Sequence, residues 1–261
     1  MYTRLVQRIE CPPIEIFYRD YVKKNIPVII TNMVNQWNGF REWTIDDFGE
    51  KFGDVKAGIM RLKNGQSDAD TYNDSISSAV PVRDIVHSIK KGAGGAEMVL
   101  ASNTEAFYPM IASDIEVPIY CKDGRFFRSR IYLGPKGLIT SLHQDLPDNL
   151  YAVVKGSKHI TLFAPDDRKF LYPNSVFSKH PNFSRFNPDK PDFKKYPSSE
   201  RATPIEVYLK EGDLLYIPSL WWHHIRNTED SIALNFWWNT GWKSAIAWGA
   251  ATYKRLFQSG L

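Results

Sequence analysis

The 261-residue sequence predicts a mainly β fold with added helices, organised as a sandwich or barrel of the double-sheet jelly-roll kind. Three observations carry this. From about residue 97 the chain breaks into short runs rich in β-branched, leucine and aromatic residues, separated by turn signals. Before that point helical periodicity alternates with brief apolar runs. Finally, 43% apolar against 24% charged residues is a globular balance in a chain long enough to bury a large core.

The elements follow in order. In PPIEIFYRDYVKKN (12–25) Ile14, Phe17, Tyr18, Tyr21 and Val22 share one helical face, and Pro13 suits a first turn. PVII (27–30) reads as a short buried strand. WTIDDFGEKFGD (43–54) reads as a second helix, with Thr44 as cap, Asp47 at the capping-box position, and Ile45, Phe48 and Phe52 inward. A third, VRDIVHSIKKGAGG (82–95), turns Val82, Ile85, Val86 and Ile89 inward and stops at Gly92.

Eight strand-like runs come next: EMVLAS, RIYLG, GLITSLH, NLYAVV, KHITLF, IEVYLK, DLLYIP and SIALNFWW. Turn signals at Gly134-Pro135, Pro147-Asp148, Lys155-Gly156-Ser157 and Glu211-Gly212-Asp213 separate several of them. Such spacing fits a jelly roll. The long connection 166–203 is rich in Pro, Asn, Asp and Lys, and a loop of that length is usually functional or mobile. KSAIAWGAATYKRLF (243–257) is an amphipathic helix, a cap on the barrel or a homodimer contact. With no repeat or low-complexity linker, one domain is expected over 1–261: an α/β extension (1–96), a core (97–240) with the insert 166–203, and a helix (241–261).

Composition weighs against several classes. A net charge of +4 is too mild an excess to point to nucleic acid. Two distant cysteines, Cys11 and Cys121, fit neither a zinc motif nor a disulfide framework and suit a reducing compartment. The start, MYTRLVQRIECPP, has no apolar leader region, and no run approaches a membrane span. A cytoplasmic protein is expected.

Six histidines are candidates for chemistry. His87 falls in a helix, His180 in the polar insert, and His159 opens a strand. His143 differs because Asp145 lies two residues on, at a strand end, where both side chains point the same way. LYIPSLWWHHIRN offers a third ligand. In extended chain His223 and His224 face opposite ways, so one of them joins the set. Two histidines and a carboxylate form the facial triad of non-haem Fe(II) oxygenases; the alternative is a polar strand end beside histidines that pack on tryptophan.

GPKGLITSLHQDLPDNLYAVVKGSKHITLFAPDD, GDLLYIPSLWWHHIRN and SIALNFWW together resemble the JmjC/cupin-like family of Fe(II)- and 2-oxoglutarate-dependent oxygenases. Within it the sequence is similar to the small JmjC-domain protein hydroxylases of the factor-inhibiting asparaginyl type, over nearly the whole chain. The resemblance implies a double-stranded β-helix core, with Fe(II) on His143, Asp145 and His223, dioxygen as co-reactant, and 2-oxoglutarate as cosubstrate. Lys158, fifteen positions after His143, would hold the far carboxylate, helped by Thr140. Asn149 and Asn235 match pocket amides, and Trp237 an aromatic beside the iron. Relatives often have a Tyr where Val99 stands here, and Tyr132 is the candidate replacement. Physical chemistry agrees on Lys158, since a dianion in an apolar barrel needs a cation; a solvated hairpin lysine is the alternative.

The implied reaction is hydroxylation of a C–H bond, coupled to decarboxylation of 2-oxoglutarate to succinate. A protein or peptide side chain is the expected substrate, with Phe170, Tyr172, Phe177 and Phe183 of the insert lining a groove. The alternatives are a small molecule, a tRNA base, or a non-catalytic metal-binding cupin-like protein.

Overall fold

The computed structural model describes residues 5–62, 66–67, 79–92, 94–121 and 126–239. The expected C-terminal helix, and any dimer contact through it, lie outside the described residues.

Eight strands make the barrel. β7 (Phe126–Gly134), β9 (Asp148–Lys155), β12 (Leu214–Ile217) and β14 (Ser231–Asn239) stand in one sheet in the order β7-β14-β9-β12. β8 (Ile139–Gln144), β10 (Lys158–Phe163), β11 (Ile205–Leu209) and β13 (Trp222–Asn227) stand in the other, in the order β8-β13-β10-β11. Every neighbouring pair among the eight is antiparallel, and the chain crosses between sheets after β7, β8, β9, β11, β12 and β13. That is the jelly roll the sequence predicts.

The first sheet is widened to nine strands. β1 (Gln7–Glu10) and β2 (Val28–Thr31) extend it beyond β12; β6 (Met98–Asn103), β3 (Lys56–Arg61) and β5 (Ala79–Pro81) extend it beyond β7. β4 (Gln66–Ser67) is a short parallel addition to β8. The run EMVLAS therefore lies in this extension rather than in the barrel. The eighth barrel strand is β13, which carries both histidines of WWHHIRN.

Burial follows position. β9 is central, with covered faces, and seven of its eight residues are buried. β11 is an edge strand and alternates Ile205, Val207 and Leu209 inward with Glu206 and Tyr208 outward. Three apolar clusters result. One fills the barrel between the sheets, around Tyr151, Val153, Leu162, Val207, Leu215 and Ile217. A larger one lies on the outer face of the nine-stranded sheet, where α1 (Ile14–Phe17), α2 (Asn38–Glu42), α3 (Ile45–Phe52) and α4 (Val82–Ile89) join Ile131, Leu133, Phe236 and Trp238. The third joins the insert to the barrel through Leu171, Phe186, Phe163, Leu142 and Trp222.

The helices match their expected faces with one change. After Phe17 the first continues as a π-helical turn, Tyr18–Val22, with Lys23 N bonded to Tyr18 O at 2.9 Å and Ile26 N to Tyr21 O at 3.0 Å. That wider turn lets Phe17, Tyr21 and Val22 all reach the core. The capping box on α3 is formed: Thr44 Oγ1 accepts from Asp47 N at 3.1 Å, and Asp47 Oδ2 accepts from Thr44 N at 3.0 Å. Thr44→Ala is expected to lower the thermal midpoint by a few degrees without changing the site; an unchanged melting curve would contradict the cap's role. Cys11 and Cys121 are both free thiols, the second buried. No helix among the described residues is long and apolar enough to cross a membrane.

Candidate metal centre and cosubstrate cavity

β8 and β13 are neighbours, and their register sets His223 directly opposite His143. The two imidazole centroids are 4.1 Å apart. Asp145 follows β8 immediately. His143, Asp145 and His223 each offer a ligand atom, and these atoms lie within 4.8 Å of one another. Each imidazole is oriented by its own backbone: His143 Nδ1 lies 2.8 Å from Ser141 O, and His223 Nδ1 lies 3.0 Å from Trp221 O. A carbonyl only accepts, so each Nδ1 donates to it and Nε2 is the nitrogen left to face a metal. Burial, and then the neighbouring His143, push the His223 pKa down to about 4. That imidazole is therefore neutral at pH 7, the form a metal requires.

The carboxylate is held as well. Trp237 Nε1 donates to Asp145 Oδ2 at 3.0 Å. The connections bearing Asp145 and His223 are tied together: Leu220 N donates to Asp145 O at 2.8 Å, and Ser219 Oγ to Leu146 O at 2.6 Å. Buried Asp148 accepts from Ser219 N at 3.0 Å and from the Tyr216 hydroxyl at 2.8 Å. The loop that leads into β13 thus has its start fixed beside the end of β8.

Thr140 and His143 are three apart, so a regular strand would send them to opposite faces. Both line the same cavity. The cause is a bulge: His143 pairs with His223 and Thr140 with Ile225, so three steps on β8 match two on β13.

His224 faces away, as alternation requires. Its Nε2 lies 2.9 Å from Asp189 of the insert, which also accepts from Arg226 Nε at 3.1 Å. Burial pushes the Asp189 carboxyl up, but His224 and Arg226 outweigh it and hold it well below the usual carboxylate range. The insert also extends the outer edge of β8, through Gln144 N to Asn182 O at 3.0 Å and Ser184 N to Leu142 O at 2.9 Å. Phe183 consequently stacks on His143, centroids 5.1 Å apart and planes 18° apart.

A cavity runs from His143, Asp145 and His223 between the sheets to Lys158, with Val99, Tyr132, Thr140, Asn235 and Trp237 in its walls. Lys158 is 4% exposed; its Nζ donates to Asn227 Oδ1 at 2.5 Å and to Ser231 Oγ at 2.8 Å, and sits 5.7 Å from the Tyr151 ring centroid. Burial pushes its pKa down to about 7. It is not a solvated hairpin lysine. Asn149 lies behind the wall and accepts from Asn235 Nδ2 at 3.0 Å. Asn149 Nδ2 and Asn235 Oδ1 are buried and have no hydrogen-bond partner among the described residues. Val99 and Tyr132 both line the cavity.

Three contributors went unread in the sequence. Tyr151, Asn227 and Ser231 line the deep end around Lys158. Tyr151 was legible, since it shares strand parity with Asn149; Asn227 and Ser231 sit at strand ends, where no local pattern marks them. The expected aromatic groove on the insert does not form as a unit. Phe183 is buried on His143, Tyr172 accepts from Ser198 N at 2.9 Å, Phe170 lies between Lys169 and Arg201, and Phe177 is 87% exposed. His180 is buried despite its place in the polar insert, and His159 pairs with Glu206 at 2.6 Å on the barrel exterior.

Comparison with known proteins agrees with this geometry. The family described as "Cupin-like domain" matches residues 13–244. The chain is 31% identical over 245 residues to lysine-specific demethylase 8 of Danio rerio, covering 91% of this chain and 59% of that protein. It is 27% identical over 266 residues to the human bifunctional peptidase and (3S)-lysyl hydroxylase JMJD7, covering 90% of this chain and 84% of the relative. It is 34% identical over 131 residues to tRNA wybutosine-synthesizing protein 5 of Gallus gallus, which covers 50% of this chain and 40% of that protein. The chain belongs to the cupin-like domain family, within the JmjC-type Fe(II)- and 2-oxoglutarate-dependent oxygenases.

Proposed function

We propose that this chain is a Fe(II)- and 2-oxoglutarate-dependent hydroxylase acting on a protein side chain. The observation that carries it is one continuous cavity with two imidazoles and a carboxylate at one end and a buried lysine at the other. The residues present fit the groups. Two imidazole nitrogens and one carboxylate are the facial set suited to Fe(II), leaving the opposite face open. Lys158 supplies the cation that the far carboxylate of 2-oxoglutarate needs, and Asn149 Nδ2 and Asn235 Oδ1 are polar atoms still in want of partners. When bound, iron, 2-oxoglutarate and dioxygen supply the oxidising power that inserts one oxygen into a C–H bond and releases succinate and CO2.

The chain's own residues do the rest. His143, Asp145 and His223 would hold the metal, with Ser141, Trp221 and Trp237 fixing their orientation. Lys158, Asn227, Ser231 and Thr140 would seat the cosubstrate at the deep end. Trp237, Val99 and Tyr132 exclude water from the path between them. A protein substrate is inferred because two relatives are named for activity on lysine. Two free cysteines suit a cytoplasmic setting.

The test is succinate release from 2-oxoglutarate by the purified protein with Fe(II) and oxygen, with no substrate added. Absence of both release and 2-oxoglutarate binding would leave only a metal-binding cupin-like protein. Trp237→Phe keeps a ring but removes the donor to Asp145. It is expected to weaken metal affinity by about 10- to 100-fold, read by metal titration of the apoprotein. Unchanged affinity would remove Trp237 from the site's support.

A further inference from the structure

We propose that Phe183 is a positioning residue of the metal centre: its ring fixes the plane of His143, so the insert 166–203 is a working part of the site rather than a cover packed over the barrel. This deepens the hydroxylase reading above and rests only on its metal ligands. β13, which carries His223, is flanked by β10 and β8. β8 has β13 on one side only. On its other side β4 pairs with Ile139 and Thr140 and no further along the strand. His143 lies beyond that pairing, and there the insert completes the edge. Ser184 N donates to Leu142 O at 2.9 Å and Gln144 N to Asn182 O at 3.0 Å, and between these bonds Phe183 stands directly opposite His143. This is the non-hydrogen-bonded kind of antiparallel pair, in which opposite residues share a face and their side chains come closest. Phe183 therefore arrives on the ligand side of β8.

The rings give the pair its role. The contact of His143 Nδ1 with Ser141 O, at 2.8 Å, fixes one atom of the imidazole and leaves the ring free to tilt about it. Such a tilt sweeps Nε2 sideways, whereas a working ligand set is held to within roughly 0.5 Å. Neighbours on both sides of β8 remove the tilt. His223 of β13 lies with its centroid 4.1 Å away, and Phe183 of the insert stacks 5.1 Å away with planes 18° apart. A phenyl ring suits the task chemically. It has no lone pair and no polar hydrogen, so it restrains the imidazole without competing for Nε2. An aliphatic side chain would fill the space and leave the plane undefined.

Phe183 is itself held. It is buried, its N–H donates to His180 O at 3.3 Å, and its carbonyl accepts from Asn174 N at 2.8 Å. The His180 ring meets it edge-on, centroids 5.8 Å apart. Farther along the insert, Asp189 grips His224 and Arg226 of β13. The insert thus bears on both ligand strands at once, by a ring on β8 and by a carboxylate on β13.

The experiment measures Co(II) binding to the full chain as apoprotein, by titration and by the visible absorption of the bound ion, with no cosubstrate and no turnover. Phe183→Leu is expected to weaken Co(II) about tenfold or more and to shift the absorption bands, which report ligand geometry. Phe183→Tyr keeps the ring and restores both. Thr44→Ala is the control: it lowers the thermal midpoint and moves neither readout, which separates lost stability from lost positioning. Phe183→Met, apolar and flexible, is read instead if the leucine variant does not fold. Affinity within about threefold of the natural chain, with an unchanged spectrum, overturns the proposal. So does a tyrosine variant no better than the leucine one, or a natural chain that binds no Co(II). If Phe183→Leu loses metal as expected but the natural chain forms no succinate, the hydroxylase reading fails and the positioning role stands. If both chains hold Co(II) alike and succinate forms, the positioning role fails and the hydroxylase reading stands.

Discussion

Lys158→Met is expected to weaken 2-oxoglutarate binding roughly 10²- to 10³-fold while leaving the ligand-free protein folded. Methionine keeps the apolar stem beside Tyr151 and removes only the ammonium. A dianion left without its buried cation costs about 3–5 kcal/mol, and each 1.4 kcal/mol is about tenfold in affinity. Without ligand the sign reverses, because Lys158 is a buried cation with neutral partners, Asn227 and Ser231. Its pKa falls from the ordinary 10.5 to about 7, so between these values the unfolded chain binds more protons than the folded one. The stability of the ligand-free protein therefore rises with pH across that window. The gain is complete above 10.5 and lost as pH falls through 7. Methionine should flatten this dependence. Binding of the cosubstrate by the natural chain above pH 7 should take up a proton, measured calorimetrically in buffers of different ionisation enthalpy. If the variant binds 2-oxoglutarate within about threefold of the natural chain, Lys158 is not its anchor.

Gly156→Ala is expected to be among the most destabilising single changes away from the metal ligands. Gly156 turns β9 into β10 with φ of +74°, and an added Cβ would overlap the carbonyl oxygen of Asp230. Backbone strain and a backbone clash together should cost roughly 3 kcal/mol or more, about 6–12 °C in thermal midpoint. The loss is also functional. Asp230 precedes Ser231, and Lys158 lies two residues after Gly156, so pushing the two turns apart separates Lys158 from its partner. Gly94→Ala, where an added methyl meets nothing within 4 Å, serves as the control. Equal melting temperatures for the two variants would show that the turns yield more easily than their contact implies.

Alternation and turns marked seven of the eight barrel strands, because each buries at least one face. β13 escaped because its six residues mix Trp, His, Ile, Arg and Asn with one nearly continuous burial pattern, so no period-two signal survives. EMVLAS was legible as a strand but not as an outer one, since apolar runs look alike in either cluster. The triad was legible from two short segments, but the reason Thr140 joins it was not. A β-bulge leaves no mark in residue types. Asp189 was unreadable too, because its partners lie 35 or more positions away, across the insert.

The adjacency of His223 and His224 bears on how the chain finds its register. A one-residue slip of β13 against β8 would still offer an imidazole to the triad, so the histidines themselves barely distinguish the correct pairing from its nearest error. The residues after them do. In the slipped strand Arg226 would turn into the barrel interior and Ile225 would confront Asp189, exchanging a half-buried ion pair for an unpaired carboxylate and an unpaired cation. The contacts of Asp189 with His224 and Arg226 therefore favour the observed register over its nearest error, where the imidazole count alone would not.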